Sequence, residues 1–227
     1  MKTFKKKLLA AVTVMALSPL AQAGVISFSD NHAASTTEWS DVLTVSQFDA
    51  SLGNLDTINI SFSASMLSDI TLNNNDNLAQ TTRGSVGIET IGTFLGLGSL
   101  TINLSADTGF VALGADGALD GSDIFTAFGL TGTDTINATI DSSNTDFLSF
   151  IGTGNVSTSG LTAFGNFGGT GGSNTVISVD TVAGASLNVT YNYTETTNPT
   201  PVSEPTSLAI LGLGLAGIAL RRKKKSL

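Results

Sequence analysis

Alternation with a period of two dominates the middle of the chain. Ile58, Ile60, Phe62, Ala64 and Met66 interleave with Asn59, Ser61, Ser63 and Ser65. Leu100, Ile102 and Leu104 do the same with Thr101 and Asn103, as do Leu187, Val189, Tyr191 and Tyr193 with Asn188, Thr190 and Asn192. Successive side chains of a strand point to opposite faces, so each segment predicts a strand with one buried face and one wet face. Further strands are predicted at 25–28, 42–45, 85–91, 135–140, 156–159 and 175–179. Between them, Ser51-Leu52-Gly53-Asn54, Asn73 to Asn77, Asp116-Gly117, Asp120-Gly121 and Gly168 to Asn174 supply turns. Short helical turns are expected at 123–128 and 146–150, where Phe125, Phe128, Phe147 and Phe150 recur at spacing three. The set predicts an all-β body, an antiparallel β-sandwich, whose aromatic residues mostly fill the core.

Both ends break this pattern. Lys2, Lys5, Lys6 and Lys7 precede an apolar run from Leu8 to Leu17, and Ala21-Gln22-Ala23 offers small residues for cleavage, so a signal peptide ends at Ala23 and mature protein begins at Gly24. At the other end, Leu208 to Leu220 is apolar and rich in glycine, and Arg221, Arg222, Lys223, Lys224 and Lys225 follow it. A helix crossing a bilayer core usually needs about 20 residues. Counting from Pro205 and letting the stems of Arg221 and Arg222 reach the interface narrows the shortfall. The cations act as a stop signal that keeps the C-terminus cytoplasmic and the body outside. The expected organisation is therefore a signal peptide (1–23), an exported β domain (24–194), a Pro-containing linker (195–201) and a tail (202–227). Within the tail, 202–205 is a motif, about 206–220 a single transmembrane helix and 221–225 the basic cluster.

Charge sharpens the division. Arg83 is the one Lys or Arg between Gly24 and Ser203, against seventeen acidic residues, so that span carries a formal charge of −16. Nucleic acid is excluded as a partner, because phosphate binding depends on clustered cations. The chain has no cysteine and a single histidine, His32, which rules out thiolate metal sites and histidine clusters. No cofactor is expected beyond calcium, for which Asp116, Asp120 and Asp123, set among glycines, are the candidate ligands.

Catalysis finds little support in the residues. A Ser-His-Asp arrangement would have to use His32, which is read as a solvated loop histidine, and no G-x-S-x-G elbow is present. Trp39, beside Glu38 and Asp41, is a candidate sugar contact, but burial at the edge of the sandwich is the expected use. Gly212-Leu213-Gly214-Leu215-Ala216-Gly217 matches a dinucleotide fingerprint, but it lies in the apolar tail and not between a strand and a helix, so it is read as a close-packing helix face.

The order of Val202-Ser203-Glu204-Pro205, a short glycine-rich helix and a terminal basic cluster resembles the PEP-CTERM sorting signal, with Ser203 where that family's motif has its first proline. The resemblance implies a Gram-negative host, delivery by the secretory translocon, removal of the leader by signal peptidase, and tethering in the inner membrane until an exosortase processes the tail. Ile26-Ser27-Phe28-Ser29-Asp30, the stretches 35–41 and 47–55, and Phe150-Ile151-Gly152-Thr153-Gly154 resemble the choice-of-anchor E domain. That likeness implies an exported β-rich module found with different anchors and carries over no catalytic residue. The expectation is a noncatalytic protein of the cell surface or extracellular polysaccharide, structural or adhesive in role. A carbohydrate-binding module and an extracellular hydrolase are the alternatives.

Overall fold

The computed structural model describes residues 22–116 and 121–196. The leader to Ala21, Asp120, the motif Val202, Ser203, Glu204 and Pro205, the tail helix and the cluster Arg221 to Lys225 lie outside the described residues. Among the described residues, Gln22–Glu195 forms one compact unit. Its strands are β1 (Ala23–Thr36), β2 (Trp39–Asp41), β3 (Thr44–Ser46), β4 (Gly53–Asn74), β5 (Gln80–Phe94), β6 (Gly98–Asp107), β7 (Val111–Leu113), β8 (Ile124–Asp141), β9 (Asn155–Ser157), β10 (Gly160–Thr170) and β11 (Thr175–Glu195). A short 3-10 turn at Phe147–Phe150 lies between β8 and β9.

Among the described residues every strand ladder is antiparallel, beside one isolated parallel bridge, Phe48↔Ile151. One sheet has the order β1-β11-β4-β8; the other is β2-β10-β5-β6, with β7 also pairing β5; β3 and β9 form a small third sheet. The all-β, antiparallel expectation therefore holds. The two large sheets share one core: Ile58, Ile60, Phe62, Leu187 and Val189 from the first pack with Val86, Ile88, Ile102, Leu104 and Leu161 from the second. Phe62 and Phe94 meet across the layers at a ring-centroid separation of 5.0 Å. Burying each such side chain is worth about 1.5–3 kcal/mol.

Strand length is the main surprise. β4 runs for 22 residues, roughly 70 Å at 3.3 Å per residue, and pairs with β11 from Gly53↔Glu195 to Asn74↔Thr175. From Ile58 to Asn74 every second residue of β4 is buried, a run long enough to carry the alternation past the five residues that announce it in sequence. The predicted strands at 175–179 and 187–193 are parts of one strand, because Ala183 and Ala185 continue the buried face between them.

Two expectations are corrected. Residues 124–128 are extended, as the start of β8, and not a helical turn. The Phe125–Phe128 spacing comes from a bulge: the register against β4 slips between Ser68 and Ile70, Gly129 takes φ 68°, and its N–H donates to Asp69 Oδ1 at 2.8 Å. The segment 168–170, assigned to a turn, instead ends β10, whose glycines allow close approach: a Cβ at Gly169 would lie 2.0 Å from Ile177 Cδ1. The turn itself is confined to 171–174, where Gly171, Gly172 and Asn174 all have positive φ. Among the described residues the aromatic side chains mostly fill or pack against the core, as expected, and four phenylalanines are exceptions. Phe128 is 76% exposed, Phe110 and Phe167 each 67%, and Phe164 is also exposed.

Candidate functional site

The regular pattern breaks where the chain crosses from the first sheet to the second. β1 pairs β11 until His32↔Ala185, and pairing resumes at Ser35↔Ala183, so Ala33 and Ala34 together oppose Gly184. This is a β-bulge, a device that re-aims side chains. The backbones approach closely here: a Cβ at Gly184 would lie 3.1 Å from Ala34 N and 3.2 Å from His32 O. The crossing itself turns on Glu38, held at φ 68°, a conformation that costs a non-glycine residue about 1–2 kcal/mol. Two bonds to β10 hold it there: its backbone N–H donates to Ala163 O at 2.9 Å, and its Oε1 accepts from Gly165 N at 2.8 Å.

Bulge and turn together bring three side chains of distinct chemistry into a hydrogen-bonded chain. His32 Nδ1 lies 2.6 Å from Asp41 Oδ2, and His32 Nε2 lies 2.9 Å from Ser35 Oγ. Asp41 is held at its other oxygen as well, where Oδ1 accepts from Val42 N at 2.8 Å. The hydrogen bond from His32, then that from Val42, holds the Asp41 carboxyl below the usual carboxylate range. With Asp41 ionised, the tautomer that satisfies both contacts carries its proton on Nδ1 and accepts the Ser35 hydroxyl at Nε2. The imidazole stacks on the Trp39 indole at 3.9 Å and 22°, and Trp39 Nε1 donates to Ala183 O at 3.1 Å.

A groove of about 260 Å³ opens at the uncovered edge of β10, lined by Thr36, Glu38, Asn166, Phe167 and Asp180 over a floor that includes Val86 and Ile88. β2 covers only Leu161, Thr162 and Ala163 of β10, which leaves Phe164 to Thr170 unpaired on that side.

His32 is thus a strand residue with both ring nitrogens engaged, and not a solvated loop histidine. Trp39 is partly buried against the core, the use expected for it over a sugar contact, with one ring face and its N–H already occupied. Of the calcium candidates, Asp116 donates its backbone N–H to Asp76 O, and Asp123 O accepts from Asn74 N. Among the described residues no three acidic or histidine side chains group to hold a metal ion. At the expected leader junction, Ala23 and Gly24 open β1, and Gly24 packs so closely under Tyr193 that a Cβ there would lie 2.3 Å from the ring. Among the described residues no helix is long and apolar enough to cross a membrane. Sequence reasoning missed the Ser35–His32–Asp41 set because its spacings match no motif and depend on the bulge and the crossing turn.

The body is an all-β module of antiparallel sheets, and the tail carries a sorting motif. The PEP-CTERM protein-sorting motif matches residues 201–223. That match points to an exported protein processed by an exosortase, with membrane-anchored processing in Gram-negative bacteria. No curated protein matches the chain. Among solved structures, the Gx strain of infectious bursal disease virus is similar at 11% identity and TM-score 0.13, over 95% of this chain and 54% of the viral one. The VP2 subviral particle of that virus is similar at 12% identity and TM-score 0.13, over 90% and 53%. The chain spans about half the length of these viral chains.

Proposed function

We propose that the protein is a surface or matrix component, carried out by the secretory translocon and tethered in the inner membrane by its tail helix until an exosortase reads Val202, Ser203, Glu204 and Pro205. The single observation that carries this reading is the sorting-motif match over 201–223. The body between the two terminal signals is of the choice-of-anchor E type and acts structurally or adhesively among extracellular polysaccharides, a role that needs no catalytic step. Its first and last strands pair at Ala23↔Thr194 and Gly24↔Tyr193, which supports a body whose two ends leave from the same end of the ladder. Because the leader junction sits inside that ladder, signal peptidase has to cut before β1 docks on β11. Changing Glu204 and Pro205 together is expected to block maturation, and deleting Arg221 to Lys225 to weaken membrane retention. An unaltered mature mass in the first variant would contradict the reading.

A second reading, a carbohydrate-binding module, is favoured by the groove beside the crossing. Phe167 is 67% exposed there, next to Asn166, Glu38 and Asp180, which offers an apolar ring face with hydroxyl-binding groups around it. Saturable glycan binding that is lost in Phe167→Ala would support it. Binding that persists in that variant would remove the groove from consideration.

A further inference from the structure

We infer that Ser35, His32 and Asp41 form a nucleophilic centre that hydrolyses small carboxylic esters. The inference does not depend on the surface role proposed above, and it departs from the noncatalytic reading of the sequence. Its basis is geometric. A hydroxyl, an imidazole and a carboxylate are joined in the order that acyl transfer requires, at 2.9 Å and 2.6 Å. Each member is fixed by something else. Asp41 is pinned at its second oxygen by Val42 N, the imidazole is stacked on Trp39, and Ser35 is set by the bulge opposite Gly184.

The chemistry balances without any added reagent except water. As Ser35 Oγ bonds to the ester carbonyl carbon, its proton passes to His32 Nε2. The bond from that carbon to the alkoxy oxygen breaks, and the departing alcohol takes the proton from Nε2. Water then adds to the acyl-serine carbon and gives its proton to Nε2, the bond to Oγ breaks, and the proton returns to Oγ as the carboxylic acid leaves. Asp41 takes no proton. It is a positioning residue that holds the tautomer and stabilises the imidazolium between the two transfers.

The test uses the full chain, a fluorescent fluorophosphonate, and p-nitrophenyl acetate. The centre predicts covalent labelling, mapped by peptide mass spectrometry to Ser35, and ester hydrolysis above the buffer rate. Ser35→Ala should abolish the label while leaving the His32–Asp41 and His32–Trp39 contacts, and with them the melting temperature, in place. His32→Gln should slow labelling about 10²–10⁴-fold. Asp41→Asn should slow it too and change the shape of its pH profile, a change that a purely structural tie between the sheets would not produce. Label mapped to another residue, or no label and no hydrolysis from folded wild-type protein, would overturn the inference. Because the first readout is the site of labelling in the wild type, the result does not hinge on whether a variant folds.

Discussion

In the β4–β11 ladder β4 obeys one rule for seventeen residues, whereas at the β1–β2 crossing the chain breaks that rule three times within ten. The ladder alternates without interruption from Ile58 to Asn74 and pairs residue for residue with β11, apart from one slip near Tyr193. The crossing has a two-against-one bulge at Ala33 and Ala34, a left-handed Glu38 and a change of sheet. Both regions draw on the same acidic, hydroxyl-rich composition. What differs is the use of the polar side chains. Along β4, Ser63 bonds across to Thr135 of β8 on the exposed face, while at the crossing Ser35, His32 and Asp41 are drawn into a directed chain with a stacked ring behind it. Regular pairing builds a scaffold, and backbone irregularities held against their own cost mark the places where a side chain has been aimed.

The largest effect that would sharpen this contrast lies in the ladder. Phe62→Ala removes a fully buried ring in contact with Phe94 and should cost about 3–5 kcal/mol, read from the urea midpoint. Ser35→Ala at the crossing should cost less than about 1 kcal/mol by the same measurement, as expected for a side chain whose neighbours keep their other contacts. Comparable losses at the two sites would dissolve the distinction between scaffold and site.

Next in size is Tyr191→Phe. Its buried hydroxyl donates to Ser46 O at 2.9 Å, and the change should cost about 1–2 kcal/mol. Burial pushes this phenol up to about 12, so its contribution is complete below pH 10 and is lost as pH rises toward 12. The alkaline decline in stability should be weaker in Tyr191→Phe. In the opposite direction, Thr90 is buried with a hydroxyl that has no protein partner, and Thr90→Val should gain about 1 kcal/mol. A loss there would mean that the hydroxyl is satisfied in solution.

The smallest effect is at acid pH. Gly109 N–H, then Arg83, holds the Asp107 carboxyl below its usual range, as the Ser143 hydroxyl and N–H do for Asp141. The stability such groups contribute is present above the unfolded value of about 3.9 and is lost as pH falls through their depressed folded values. Asp107→Asn should therefore flatten the decline in melting temperature below about pH 4. An unchanged acid limb would remove Asp107 from it.

How much could be read in the sequence follows the same division. The alternation around Ile60, Ile102 and Val189 announces strands because a half-buried sheet demands it. The 3-10 turn at Phe147–Phe150 was equally legible from two phenylalanines at spacing three. The same spacing at Phe125 and Phe128 misleads, since the slip opposite Asp69 inserts a residue and mimics a helical period. β10 hides because Gly165 and Gly169, poor strand formers by propensity, are what its close approach to Thr37 and Ile177 requires. The link from His32 to Ser35 and Asp41 had no local signature at all. It exists only once β2 has joined a different sheet from β1.

The central claim, that this β body is exported and sorted by its tail, is tested most directly by intact-mass spectrometry of the protein recovered from separated cytosolic, membrane and external fractions. The account predicts a chain that begins at Gly24, is absent from cytosol, and in its final form has been cut near Glu204-Pro205. A full-length chain that still carries Met1 to Ala23 and is found in cytosol without detergent would contradict it.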